Sequence, residues 1–273
     1  RRYAWVSQLG MLPGTLVYVN AGTALGGLQS LSGIVSPQLL GAFALLAVFP
    51  WIARAVLGGW QARRVQQPWA AQRPKQYDRN LVVIGAGAAG LVTSYIAAAV
   101  RAKVTLVEAH QMGGDCLNTG CVPSKALIRA AKLAHEVTRA NEFGLTAAPA
   151  TVDFAAVMDR VADAVRGVAP HDSVERYTAL GVDVRQGHAR LVDPWHVEIT
   201  AADGTREVLS TRAIVIATGA APTVPPLPGL QDVAFLTSDT LWGLRTAPRR
   251  LAVLGGGPIG CELALALARL GCG

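Results

Sequence analysis

Cys116 and Cys121, with four residues between them, are the side chains of this 273-residue sequence best suited to chemistry. Thiol pairs bind zinc, staple a fold, or cycle between dithiol and disulfide. Zinc fits poorly, because its ligand pairs are closely spaced and joined by histidines, and no histidine sits beside either cysteine. A structural disulfide is disfavoured in a reducing cytoplasm, the side to which basic residues after an apolar N-terminal segment point. A redox pair or two inert buried thiols remain. For a redox pair geometry sets a condition: on an ideal helix, positions five apart have Cα atoms about 8.7 Å distant, whereas a disulfide tolerates about 7 Å. A bridge therefore needs a distorted turn, and Gly120 permits one. Of the other two cysteines, Cys261 reads as a small helix residue and Cys272 gives no reading.

The elements around the pair are those of a parallel α/β fold. Leu81–Ile84 is a short apolar run, as in a central parallel strand. It enters Gly85-Ala86-Gly87-Ala88-Ala89-Gly90, after which Leu91–Val100 reads as a helix and Lys103–Val107 as a second strand, ending in Glu108. A strand, a GxGxxG turn, a helix and an acid about 20 residues on describe a dinucleotide site. Gly85, Gly87 and Gly90 allow the turn and the close approach of a pyrophosphate, while Glu108 can accept from ribose hydroxyls. A surface acid at a strand end is the lesser reading of Glu108. Arg250–Leu254 is expected as a strand feeding a second such turn, with Gly255, Gly257 and Gly260. Between the two turns, Ala126–Ala140 and Phe154–Val168 read as helices that pack together. Asp183–Gly187, His196–Ile199 and Ala213–Ala217 read as strands.

Gly113-Gly114-Asp115-Cys116-Leu117-Asn118-Thr119-Gly120-Cys121-Val122-Pro123-Ser124-Lys125 resembles the active-site motif of the class I pyridine nucleotide–disulfide oxidoreductases, and the resemblance runs from Leu81 to the end. That family includes dihydrolipoamide dehydrogenase, glutathione reductase and mercuric reductase. The resemblance implies a Rossmann-like FAD-binding domain and the start of an NAD(P)H domain. It implies FAD at Gly85, Gly87, Gly90, Glu108, Gly114, Asp115, Lys125, Ala189, Thr218 and Gly219, and NAD(P)H at Gly255, Gly257, Gly260 and Glu262, with no bound metal. Cys121 would lie beside the flavin as the charge-transfer thiolate, and Cys116 would be the interchange thiol that meets the substrate. Lys125 would stand near the flavin N5, and Glu262 near the nicotinamide. Asp115 departs from the pattern, which usually has threonine there, and sets a carboxylate near the FAD phosphates.

The implied activity passes electrons from NAD(P)H through FAD to the Cys116–Cys121 disulfide, then to a disulfide or metal-ion acceptor. The GCVPSK wording leans towards the mercuric-reductase branch. Dihydrolipoamide dehydrogenase is the alternative, and a membrane transport or scaffold protein with a redox-sensing flavin domain is a second. The full-length protein is expected to be a homodimer. Arg1 in place of a start methionine, and the stop at Gly273 inside a nucleotide-binding unit, give the expectation of a fragment inactive alone.

Composition divides the chain. Half the residues are apolar and 16% charged, below the usual quarter or so, and the deficit lies in Tyr3–Ala53, which has no charged residue or histidine. Residues 1–57 are therefore expected to be membrane-embedded helix, with 58–80 a basic linker, 81–248 the FAD-binding domain and 249–273 the start of the NAD(P)H-binding domain. The words Leu12–Gly26 and Leu31–Leu46 resemble the C-terminal part of the SNARE-associated membrane-protein family. Arg54, Arg63, Arg64, Arg73, Lys75 and Arg79 follow the uncharged stretch, predicting a membrane anchor with a cytoplasmic catalytic domain. They also account for part of the net charge of +7. Nucleic acid is excluded as a partner, since no basic stripe with interleaved aromatics occurs.

Overall fold

In the computed structural model, which describes residues 2–26, 37–146 and 151–273, the chain divides into two compact units, 1–72 and 73–273. The first contains helix α1 (Arg2–Gly26), helix α2 (Pro37–Gln66) and a 3-10 turn, Gln67–Gln72. The two helices touch where Gly14 faces the Phe49 ring: a Cβ there would lie 3.8 Å away. Of the segment 1–57, expected to be helical, the described residues 2–26 and 37–57 are helix, but among them the expected membrane crossing finds no support. No helix among the described residues is long and apolar enough to cross a membrane. Pro13 interrupts α1, and α2 meets Pro50 and then Arg54 before completing the roughly 20 apolar residues that a bilayer core demands. Helix α2 runs on to Gln66, through the first part of the expected linker. Residues 27–36, which hold the join between the two words resembling the SNARE-associated family and the first six residues of the second, lie outside the described residues.

The second unit opens with β1 (Arg79–Ile84), α3 (Ala88–Ala99) and β2 (Val104–Glu108). Helices α4 (Gly114–Asn118), α5 (Cys121–Thr138), α6 (Phe154–Val168) and α7 (Val174–Ala179) follow. Strands β3 (Asp183–Gln186), β4 (His188–Asp193), β5 (His196–Thr200) and β6 (Arg206–Ile216) come next, then α8 (Pro258–Arg269). The strands form one sheet in the order β3-β2-β1-β6-β5-β4. Strands β3, β2, β1 and the second half of β6 are parallel; the first half of β6 turns antiparallel with β5, which pairs with β4.

Period-two alternation along β1 explains the layers. Val83 points into a cluster with Leu91, Leu106, Tyr177 and Val182, under α3 and α7. Val82 and Ile84 point the other way, onto Val197, Ile199 and Leu209 of the antiparallel strands. Fully burying each such side chain stabilises the fold by about 1.5–3 kcal/mol. A third cluster joins α5, α6 and α8 through Leu127, Met158, Val161 and Leu267. The expected packing of the two helices is therefore present.

Two expectations change. Strand β6 begins seven residues earlier than the expected Ala213, because Arg206–Ser210 pairs with β5 outside the parallel sheet. The expected strand Arg250–Leu254 does not form. Its ladder contacts are the Leu251 N–H to the Gly273 carbonyl (2.8 Å) and the Gly273 N–H to the Arg249 carbonyl (3.1 Å), too few to make a strand.

At the amino end of the parallel strands, Asp183 accepts from Arg79 (2.8 Å), Arg185 (2.9 Å) and Thr105 (3.1 Å). Burial pushes its carboxyl pKa up, but these donors outweigh burial and hold it below the usual value. A depressed folded pKa adds stability above the unfolded pKa and loses it as pH falls through the folded one. Asp183→Asn should therefore cost about 1 kcal/mol at pH 7. Denaturant titrations of both proteins should converge below the normal aspartate range. An undiminished difference at low pH would refute this account of Asp183.

Candidate active site

The crevice lies at the carboxyl ends of β1 and β6, where the chain has built outward from β1 through β2 to β3 and returns on the other side as β6, the expected ligand position in an open α/β sheet. Strand β1 is continued by Gly85, whose N–H donates to the Val107 carbonyl (2.8 Å), and α3 begins at Ala88, directly after Gly87 at its N-cap. Gly90 fixes how closely that helix approaches the strand: a Cβ on it would stand 1.8 Å from the Gly85 carbonyl oxygen. Gly260 repeats this approach to Gly255, at 2.4 Å. Both sequence motifs thus build the same tight entry into a helix, although only the first follows a strand.

Glu108 does more than its sequence position suggested. It is buried, accepts from the Ala86 N–H (2.6 Å) and the His110 N–H (2.8 Å), and still lines the crevice. The carboxylate thereby ties the glycine-rich turn to the end of β2. Nearby, the Gly187 N–H donates to the Glu108 carbonyl (2.9 Å), bringing the adjoining Ala189 to the same wall.

Two cavities open from the crevice. The larger, about 860 Å³, is lined by Gly85, Gly87, Glu108, Gly114, Asp115, Cys116, Cys121, Ala189, Thr218 and Gly219. The smaller, about 510 Å³, is lined by Lys125 and Glu262. Asp115, Gly120 and Cys121 belong to both, so the exposed cysteine stands at their junction. Gly90 supports the larger cavity from behind without lining it. Gly255, Gly257 and Gly260 line neither, although Pro258 and Ile259 of the same corner line the smaller. The Asp115 carboxylate faces the Thr218–Gly219 turn, 4.0 Å from where a Gly219 Cβ would stand.

The turn between the cysteines is broken, as their spacing requires of any bridge. Cys116 lies in α4 and Cys121 opens α5. Between them the Asp115 carbonyl accepts from both Thr119 N–H (3.0 Å) and Gly120 N–H. A Cβ on Gly120 would lie 2.8 Å from that same carbonyl oxygen, so only glycine fits the break without a shift. Asn118 closes the other side, donating to the carbonyls of Met112 (3.0 Å) and Gly114 (2.9 Å). Both cysteines are free thiols, Cys116 half-buried and Cys121 exposed. A hydrogen bond with Cys121, then burial, then the nearby charges push the Cys116 pKa up to about 11. Cys116 therefore keeps its proton at neutral pH while facing its partner sulfur.

Lys125, one turn after Cys121 on α5, donates from Nζ to Glu262 Oε2 on α8 (2.5 Å). Both side chains are exposed, so the pair contributes little to stability; its effect is to set a cation beside the cysteine across the smaller cavity. No group of three or more metal-ligating side chains occurs among the described residues. Sequence reasoning missed Trp242, which also lines the smaller cavity. Its indole N–H reaches the Thr119 carbonyl at 2.8 Å across 123 residues of chain, and no local pattern signals such a partner.

Residues 79–273 match the family described as pyridine nucleotide-disulphide oxidoreductase. A mercuric reductase of Lysinibacillus sphaericus is 37% identical over 196 residues, covering 70% of this chain and 34% of that protein. The mitochondrial dihydrolipoyl dehydrogenase of Dictyostelium discoideum is 35% identical over 197 residues, covering 71% and 40%. Among solved structures, the copper(II) complex of the HOCl-induced flavoprotein disulfide reductase RclA of Escherichia coli superposes with a TM-score of 0.61 at 26% identity. It covers 72% of this chain and 41% of that one. The chain thus spans well under half the length of these relatives. The family match begins at Arg79 and does not extend to residues 12–46.

Proposed function

Because this chain belongs to the pyridine nucleotide-disulphide oxidoreductase family, whose cofactors are FAD and NAD(P)H, we propose that its parent enzyme reduces an acceptor through Cys116 and Cys121. The observation that carries this reading is the position of the two thiols, facing one another across a broken turn at the junction of two cavities.

The residues present fit FAD. Gly85 and Gly90 leave room at the corner that only hydrogen atoms can occupy, and the N-terminus of α3 offers N–H groups to a pyrophosphate. Glu108 and Ala189 would meet the adenosine half, while Thr218, Gly219, Gly114 and Asp115 would flank the middle, with Lys125 and Cys121 at the flavin end. Bound there, FAD supplies a two-electron carrier between NAD(P)H and the disulfide. Glu262 and the Gly255–Gly260 corner would receive NAD(P)H.

The protein's own sulfurs set the order of events. Two electrons and one proton break the Cys116–Cys121 bond and leave a thiol at Cys116 and a thiolate at Cys121. Cys116, with its pKa pushed up to about 11, needs a base to take its proton before it can attack a substrate disulfide. In this proposal the full-length protein is a homodimer and the partner subunit brings that base. A soft metal ion is the other acceptor that suits two adjacent sulfurs, and the similarity to mercuric reductases supports it.

Steady-state NAD(P)H oxidation by the full-length protein with Hg(II), lipoamide and glutathione disulfide separates these acceptors. The expected result is turnover with Hg(II) above that with either disulfide. Turnover with lipoamide alone would assign the dihydrolipoamide dehydrogenase reaction, and negligible turnover with all three would leave a redox sensor.

A further inference from the structure

We propose that Trp242 is the positioning residue of the redox turn: its indole N–H holds the Thr119 carbonyl and so keeps Cys116 and Cys121 at bridging distance. The inference rests on the redox reading of that pair. Thr119 sits at the break between α4 and α5, between the two cysteines. Its carbonyl would ordinarily look four residues ahead for an N–H, but residue 123 is proline and has none. Thr119 is half-buried, and its unpaired carbonyl is open to a donor from elsewhere in the chain. Trp242 Nε1 supplies it at 2.8 Å and donates at the same time to the Ser238 carbonyl at 2.7 Å.

The clamp has a firm base. The Trp242 ring packs against the α5, α6 and α8 cluster. Its own segment is ordered by the Thr237 N–H donating to Thr240 Oγ1 at 2.9 Å. A fixed donor on a rigid base therefore pins a carbonyl inside the broken turn between the two sulfurs. Released from it, the turn would be free to wander away from the spacing that a disulfide tolerates. Holding the turn open raises the effective concentration of one sulfur at the other and so favours the disulfide.

The test is ring closure in glutathione buffers: Cys116 and Cys121 thiols plus glutathione disulfide give the protein disulfide plus two glutathiones. The whole 273-residue chain is equilibrated, the remaining thiols are alkylated, and the peptide carrying residues 113–125 is weighed. Two variants are compared with wild type: Trp242→Phe, and a chain with 3-benzothienylalanine at position 242, which keeps the ring shape and replaces N–H by sulfur. Both should retain the fold by circular dichroism. Both should need a buffer about tenfold more oxidising, a shift of about 30 mV. Closure of both variants at the wild-type ratio, within about a factor of two, would overturn the inference. A shift for phenylalanine without one for benzothienylalanine would overturn the hydrogen-bond role, assigning the effect to ring size. A wild-type pair that never closes would instead remove the redox reading itself.

Discussion

Cys116→Ser in the full-length enzyme is expected to lower acceptor turnover on the order of a thousandfold or more, while NAD(P)H still reduces the flavin at close to the wild-type rate. Residues that act as one unit in a reaction lose nearly everything when one member is removed. Here the unit is the pair of sulfurs brought together across the Thr119–Gly120 break. In the proposed reaction, flavin reduction would draw on the other end of the site, Lys125, Glu262 and the Gly255–Gly260 corner, which serine at position 116 leaves untouched. Stopped-flow absorbance separates the half-reactions. Retained turnover in this variant would show that electrons leave the flavin without passing through Cys116.

The second large effect concerns Gly90. An alanine methyl there would lie 1.8 Å from the Gly85 carbonyl oxygen, against backbone that has no rotamer to change. Helix α3 must then move away from β1, opening the corner and loosening the Val83–Leu91–Leu106 cluster. Overpacking of this kind costs about 1–3 kcal/mol and more where backbone must shift. Gly90→Ala should lower the melting temperature measurably and leave the purified protein without flavin. Gly87→Ala is the control for stability, since its methyl would meet the Gly114 Cα at an ordinary 3.8 Å. A flavin-replete, fully stable Gly90→Ala protein would mean that this corner is not the phosphate-binding turn.

Local patterns exposed much of this architecture. The run Leu81–Ile84 with its glycines, the helix Phe154–Val168 and the cysteine spacing each state a physical constraint within a few residues. The broken turn at Gly120 follows from spacing alone, because five helical positions exceed a disulfide's reach. What stayed hidden depends on distant chain. The first half of β6 is polar, with Arg206, Glu207 and Ser210, and becomes a strand only because β5 pairs with it. Arg250–Leu254 reads as a strand but has almost nothing to pair with. Glu108 reads as a ribose ligand, and its added work on the Ala86 N–H becomes visible only when the turn folds back over β2. The apolar stretch Tyr3–Ala53 suggested a membrane crossing, yet no helix among the described residues is long and apolar enough to make one. Trp242, set between Leu241 and Gly243, carried no local signal, although the missing N–H at Pro123 leaves the Thr119 carbonyl open to a donor from outside its own turn.

The visible spectrum of the full-length protein during titration with NADH tests the central claim, that the flavin and the Cys116–Cys121 pair are coupled. Coupling predicts a flavin spectrum that gains a long-wavelength charge-transfer band at two electrons, with the band absent in Cys121→Ser. A wild-type flavin that bleaches directly, with no such band at any stage, would contradict it.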